Sequence, residues 1–466
     1  MSDVAPRSAR EIAEAVTGGT TTARAVIERT LAGIARVDPQ VNSFTAVTRA
    51  RALAEAAAID ARRAAGETLP PLAGVPYAVK NLFDVAGLPT LAGSKVNATH
   101  AAAAADATLV ARMRAAGAIL VGTLNMDEYA YGFTTENSHY GATRNPHDLA
   151  RTAGGSSGGS GAAVAARLVP LALGSDTNGS IRVPASLCGV WGLKPTYGRL
   201  SRRGTFPFVA SLDHLGPFAA TLPDLALCYD TLQGADPDDP ACAQRPVESV
   251  GRDAGRGIAG LRIARLVGYF DDCLTAPAAA AVDRACAALS VTRSVELKEA
   301  PLGRAAAFLI TASEGGALHL PTLRTRRDDM DPLSRERFVS GAILPAAWYL
   351  KAQRVRAWYR ERFLALFAEA DVLIAAATPC PATPIGTEWL DLPGQRVPLR
   401  PSLGLLAQPI SCIGLPVVTA PLASAGALPM GVQLIAAPWR EDLCFRVAAA
   451  LAAGGTAVAP LPTLHA

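Results

Sequence analysis

Two stretches decide the fold: Gly154-Gly155-Ser156-Ser157-Gly158-Gly159-Ser160-Gly161, and Gly174-Ser175-Asp176-Thr177-Asn178-Gly179-Ser180-Ile181-Arg182-Val183-Pro184. The first is too rich in glycine to be regular structure, and it runs into an alanine-rich helical segment, Ala162 to Arg167. Its backbone amides would point into a cavity at a helix N-terminus, where the helix dipole favours negative charge. In the second stretch the small residues Thr177-Asn178-Gly179 let consecutive N–H groups converge on one point, as a developing oxyanion requires. Ser180 ends that turn. The bland reading of such serines is a turn or cap residue.

Other readings of the glycine run fail on context. A phosphate-binding loop needs Gly-Lys-Ser/Thr after the glycines, and Ala162-Ala163 stand there instead. Gly154-Gly155-Ser156-Ser157-Gly158 formally matches the G-x-S-x-G elbow of α/β-hydrolases, but an elbow follows a buried strand, and Asn145 to Thr152 is polar and turn-like.

Working upstream, the apolar run Gly74-Val75-Pro76-Tyr77-Ala78-Val79 ends in Lys80. Desolvation at the end of a buried strand pushes a lysine toward its neutral form, and a neutral amine is a usable general base. An arbitrary lysine is a solvated surface cation; the company of the two serines singles this one out.

Ser180, Ser156 and Lys80 together resemble the Ser-Ser-Lys catalytic set of the amidase signature family. The likeness continues through Leu72 to Asp84, Asn125-Met126-Asp127-Glu128-Tyr129 with Thr134-Thr135-Glu136-Asn137-Ser138, Gly189 to Arg199, Gly414-Leu415-Pro416 and Gly431-Val432-Gln433-Leu434-Ile435. It implies an α/β fold, a large mixed twisted sheet covered by helices on both faces, with residues 1–466 as one domain. It also implies an acyl-enzyme mechanism without cofactor or metal: Ser180 attacks the carboxamide carbon, Ser156 takes its proton, and neutral Lys80 receives it. The Gly155-Ser156 peptide is expected to be cis, and Thr177, Asn178, Gly179 and Ser180 to supply the oxyanion amides. Candidate substrate contacts are Arg356, matched to an arginine that holds a carboxylate in the family, with Thr134, Ser157 and Arg182. Asp176 and Arg182 are also read as supports of the loop.

Within the family two groups fit: the glutaminase subunits of tRNA-dependent glutamine amidotransferases, and the catalytic subunits of the 1-carboxybiuret hydrolases of cyanuric acid breakdown. The segment Arg335 to Arg356 resembles both. The amidotransferase pattern places an aspartate for the glutamine α-amino group where Gly404 stands here. The expected substrate is therefore a small anionic ureide such as 1-carboxybiuret, ahead of a glutaminase or a general aliphatic amidase. A non-catalytic subunit of the same fold would have lost part of the serine–lysine set, which is complete here. Both groups pair the catalytic chain with a short companion chain, so a small protein partner is expected.

Composition agrees with a large enzyme. Charged residues make up 18% of the 466 residues, below the roughly 25% of average proteins, which points to a large buried fraction. A net charge of +4 gives no electrostatic case for nucleic-acid binding. Between 324 and 362 ten cations face five acids, read as a solvated helix face rather than a tRNA surface. No apolar stretch is long enough to span a membrane, and Met1-Ser2-Asp3-Val4 is read as no secretory leader, so a cytoplasmic location is expected. The eight cysteines lack metal-ligand spacing and lie in apolar surroundings, as buried reduced thiols do.

Residues 9 to 66 read as helices, with Ser8 capping the first, Thr20 to Thr22 opening the second, Asp38-Pro39 closing it, and Arg49 to Ala65 as a third. Strand-like runs follow at Val75–Val79, Ala118–Thr123, Val169–Gly174, Leu261–Val267, Val372–Ala376, Val417–Pro421 and Gly431–Ile435. The catalytic core is placed at about 70–217. The Asp, Pro and Gly-rich segment at about 234–260 is read as a surface connection.

Overall fold

The computed structural model describes residues 8–422, 426–462 and 464; Met1 to Val4, read above for a leader, lie outside the described residues. Segments such as Pro76–Lys80 and Met430–Ala436 are buried along their whole length. Covered on both faces, such strands are mostly apolar along their length instead of alternating.

Eleven strands build one mixed sheet. They are β1 Phe44–Val47, β2 Pro76–Lys80, β3 Ile119–Leu124, β4 Leu171–Asp176, β5 Trp191–Lys194, β6 His214–Ala219, β7 Ile263–Val267, β8 Arg293–Glu296, β9 Val372–Ala376, β10 Val417–Leu422 and β11 Met430–Ala436. Their order across the sheet is β1-β3-β2-β4-β6-β5-β10-β11-β9-β7-β8, with helices on both sides. β2 runs parallel to β3 and β4, so the carboxyl ends of these strands, with Lys80 and Asp176, lie on one edge of the sheet. Ligands of α/β sheets bind at such an edge.

All seven segments read as strands are strands. Four more strands of this sheet were not anticipated, nor was Asp148–Thr152, a strand paired with Arg144–Asn145 inside the stretch read as polar and turn-like. β6 contains Gly216 and Pro217, and a proline has no N–H to give a ladder, so its sequence reads as a turn. β1, β5 and β8 have only four residues each, too few for a periodicity to register. β1 also interrupts the stretch read as wholly helical. The second helix, Ala23–Val41, does not stop at Asp38-Pro39. Pro39 sits in its last turn, and the helix ends at Asn42 in the left-handed conformation (φ 57°). The Asp38 carboxylate looks past that end and accepts the backbone N–H of Ser43 and of Phe44, which sets the entry into β1. Ser8 and Thr22 cap their helices as expected.

The glycine run needs a second correction, since helix Gly158–Ala165 begins inside it. A Cβ on Gly159 would stand 2.6 Å from the backbone of Asn125, and one on Gly158 would collide with Thr135. Only glycine lets this turn approach its neighbours so closely. The first amides of the helix are consequently engaged: Gly158 N–H donates to Thr135 Oγ1 at 3.0 Å and Gly159 N–H to Asn125 O at 3.1 Å.

Residues 234–260 connect β6 and its following helix to β7 and carry the short helical turns Val250–Asp253 and Ala254–Arg256. Asp236 turns inward from this segment and accepts the hydroxyls of Thr108 and Ser201 at 2.7 and 2.6 Å. The sheet takes strands from both sides of it.

Helices Ala300–Thr325 and Pro332–Ala342 pack against each other and bring Thr311 and Arg337 to one cleft. Their contact relies on Gly341 and Gly316: a Cβ on Gly341 would collide with the Ala312 carbonyl, and one on Gly316 with the Ala342 backbone. Gly341→Ala is expected to force the helices apart and destabilise the protein by about 1–3 kcal/mol. Thermal and denaturant unfolding check this; an unchanged midpoint would show that the contact yields freely.

Candidate active site

Lys80 ends β2 with its whole side chain buried. Its Nζ donates to Ser156 Oγ at 2.6 Å and to Ser175 Oγ at 2.8 Å. Burial pushes the ammonium pKa down to about 7, although the negative fields of Asp127, Asp176 and Asp213 oppose the shift. Near neutrality the amine is thus available as a base.

The Gly155-Ser156 peptide is cis. The loop is closely packed: Asp127 N–H donates to Ser156 O at 3.3 Å, and a Cβ on Gly155 would stand 2.7 Å from Thr134 N. Ser157 knits this loop to the second stretch. Its N–H donates to Ser180 O at 3.3 Å, its Oγ donates to Ser175 O at 3.1 Å, and it accepts Ser175 N–H at 3.2 Å. The expectation that Ser157 contacts substrate is therefore corrected, because its polar atoms are occupied in joining two chain segments.

Beyond β4 the chain wraps around Asp176. This buried carboxylate accepts Gly179 N–H at 2.7 Å and Ile181 N–H at 3.2 Å, and pairs with Arg182 at 3.0 Å through both Nε and Nη2. Burial alone would raise its pKa, but the charge and hydrogen bonds of Arg182, helped by Lys194 and His214, hold it well below the usual carboxylate range. Arg182 also reaches Ala407 O at 3.1 Å, Gln433 Oε1 at 2.7 Å and Ser411 Oγ. Fully buried and fully partnered, it supports the loop and has no donor left for substrate.

The oxyanion assignment narrows accordingly. Gly179 N–H is spent on Asp176, whereas the N–H groups of Thr177, Asn178 and Ser180 meet no acceptor among the described residues. Two side chains brace this turn from outside: Thr177 Oγ1 donates to Asp213 at 2.6 Å, and Asn178 Nδ2 donates to Thr311 Oγ1 at 2.8 Å.

Ser180 opens into a cleft lined also by Tyr131, Phe133, Asn178, Thr311, Arg337 and Gln408. Arg356 does not line it. Its Nε donates to Cys412 O at 2.6 Å and its Nη2 to Ser211 O at 2.9 Å, so it straps helix Ala346–Ala365 to two loops. The cation in the cleft is Arg337, packed with its guanidinium carbon 3.7 Å from the Tyr131 ring centroid and donating to Tyr131 O at 2.9 Å. Thr134 is also absent from the cleft lining. Its carbonyl accepts Thr152 Oγ1 and its hydroxyl accepts Arg400 Nη1, which places it in the support of the glycine loop.

Arg337 and Ser175 were missed as site residues. Arg337 was legible only as one of ten cations between 324 and 362, and nothing in their spacing separates the one that turns inward. Several of the others are ion-paired, as Arg326 is with Asp329 and Arg362 with Glu299. Ser175 had a signal in the parallel pairing of β2 with β4, which sets it beside Lys80. Among the described residues no group of three His, Cys, Asp or Glu side chains could hold a metal ion, and all eight cysteines are buried and unpaired.

Comparison with known proteins gives the same picture. A family model described as Amidase matches residues 25–445. The chain is 60% identical over 449 residues to AtzE, the 1-carboxybiuret hydrolase subunit of Pseudomonas sp. (strain ADP), covering 96% of this chain and 98% of the relative. It is 39% identical over 462 residues to a glutamyl-tRNA(Gln) amidotransferase subunit of Roseiflexus sp. (strain RS-1), covering 93% of each. A solved structure described as "An unexpected vestigial protein complex reveals the evolutionary origins of an s-triazine catabolic enzyme" superposes with a TM-score of 0.96 at 59% identity, over 97% of this chain and all of that one.

Two outcomes are expected at this site. Ser180→Ala should abolish amide hydrolysis with the fold intact, by circular dichroism and unfolding midpoint, because a turn serine is a small structural loss. If Lys80 is the proton acceptor it must be neutral, so kcat/KM should be low below pH 6 and rise through an apparent pKa of about 7. A limb that persists unchanged in Lys80→Met would remove Lys80 from the proton path.

Proposed function

This chain belongs to the amidase family and is an amidohydrolase, and we propose that it cleaves the terminal amide of a small anionic ureide such as 1-carboxybiuret. The observation that carries the chemistry is the buried amine of Lys80 on Ser156 at 2.6 Å, with the next residue, Ser157, bonded through its N–H to the carbonyl of Ser180, which lines the cleft. Ser180 Oγ attacks the carboxamide carbon while its proton passes to Ser156, whose own proton moves to Lys80 Nζ. The carbonyl oxygen, now negative, is received by the N–H groups of Thr177, Asn178 and Ser180. The relay then returns a proton to the leaving nitrogen, ammonia departs, and water completes the cycle by hydrolysing the acyl-enzyme along the same proton path.

The substrate class follows from the cleft and its relatives. Arg337 supplies the cation for a carboxylate, the role expected of Arg356. A Cβ on Gly404 would collide with the Phe133 ring, so an aspartate for a glutamine amino group has no room there. This disfavours the amidotransferase reading, and the close likeness to a 1-carboxybiuret hydrolase supports the ureide.

A small companion subunit completes the proposal. The related solved structure is described as a protein complex, and Ile343, Trp348 and Leu350 are each more than half exposed here. Such apolar surface suits a protein contact. Eight unpaired thiols fit the reducing cytoplasm.

Ammonia release from 1-carboxybiuret, biuret, glutamine, malonamate and aliphatic amides, with and without the companion, tests the reading. The carboxylated ureide is expected to lead, and Arg337→Met to raise its KM roughly a hundredfold while neutral amides change little, since a charged partner left unpaired is costly. Strong glutaminase activity coupled to charged tRNA, or a preference for neutral aliphatic amides, would replace the proposed substrate.

A further inference from the structure

Asn178 contributes more than its backbone to the cleft. It stands two residues before Ser180, lines the same cleft, and is only 7% exposed. Its Nδ2 is anchored on Thr311 Oγ1 at 2.8 Å, which fixes the plane of the carboxamide. The other end, Oδ1, is a buried acceptor with no hydrogen-bond partner. Buried polar atoms are nearly always paired, so an orphan in a catalytic cleft points to a ligand donor.

The neighbouring side-chain amide is engaged. Gln408 Oε1 receives Arg304 Nε at 2.9 Å, and the Thr177 hydroxyl is committed to Asp213. Arg337 offers only donors. The cleft thus combines donors for an oxyanion and a carboxylate with a buried amide oxygen that has no partner.

We propose that Asn178 Oδ1 accepts a substrate N–H on the acyl side of the scissile carbonyl and so selects ureides over plain amides, an inference that rests on the ureide reading above. The geometry of the reaction sets the side. The leaving nitrogen must face the Ser156 and Lys80 relay to collect its proton, so the substituent left for Asn178 is the other one. In a ureide that substituent is N–H; in an aliphatic amide it is C–H, which cannot satisfy the oxygen. Thr311 acts through Asn178 as a positioning residue.

Biuret and malonamide are near-isosteres that differ by N–H against CH2 between their carbonyls. Calorimetric titration of each into protein carrying Ser180→Ala should show biuret binding about tenfold tighter, the worth of one neutral hydrogen bond. Adding Asn178→Gly, which keeps the backbone amide, should erase the preference. Thr311→Val should weaken it and Thr311→Ser retain it. With the active enzyme, Asn178→Gly should raise KM for 1-carboxybiuret about tenfold. Equal binding of the two isosteres, or a preference that survives both Asn178→Gly and Thr311→Val, would overturn the assignment. Failure of the unaltered enzyme to hydrolyse 1-carboxybiuret would instead sink the substrate reading, whatever the isosteres show.

Discussion

A lysine amine without water around it is the constraint on which the site depends. Placed at the carboxyl end of a strand covered on both faces, Lys80 loses the hydration that would keep it charged, and its two contacts are serine hydroxyls instead of carboxylates. Asp127, Asp176 and Asp213 are near enough to raise its pKa, yet burial outweighs them. A direct carboxylate partner would hold the ammonium form and leave no base. Burial in the sheet thus favours the neutral amine on which the proposed relay depends.

Asp176 keeps its distance from Lys80 because Arg182 claims it. The guanidinium grips both carboxylate oxygens and spends its remaining donors on Ala407, Ser411 and Gln433, while the backbone amides of Gly179, Ile181 and Arg182 close the ring. This buried pair fixes the turn that carries Thr177, Asn178 and Ser180. Pairs of this kind add little net stability, but removing one partner leaves a buried charge, at a cost of about 3–5 kcal/mol. The contact between Asp176 and Gly179 also explains why only three amides of the turn stay free for a developing charge.

What could be read from the sequence was what local pattern encodes. Apolar runs gave seven strands, and the serine, glycine and lysine blocks gave the centre of the site. β6 was hidden by Pro217, and the start of helix Gly158–Ala165 by its glycines, which are there for close packing and not for flexibility. Substrate contacts were read least well. Arg356 and Arg337 lie on neighbouring helices in an arginine-rich stretch, and only the packing of Ala300–Thr325 against Pro332–Ala342 decides which one turns inward. Arg182 shows the converse, a cation near the nucleophile that the interior has fully claimed. Residues defined by one strand or turn were legible, whereas those defined by the meeting of distant helices were not.

The ionisation of Lys80 itself can be observed without any substrate. The chain has five lysines, and the two fully buried ones, Lys80 and Lys194, are both held near 7. NMR titration of protein labelled at the lysine side chains, assigned with Lys80→Met and Lys194→Met, separates them. The account predicts that the resonance lost in Lys80→Met titrates with a midpoint near 7. A Lys80 that stays protonated until pH 10 would contradict it.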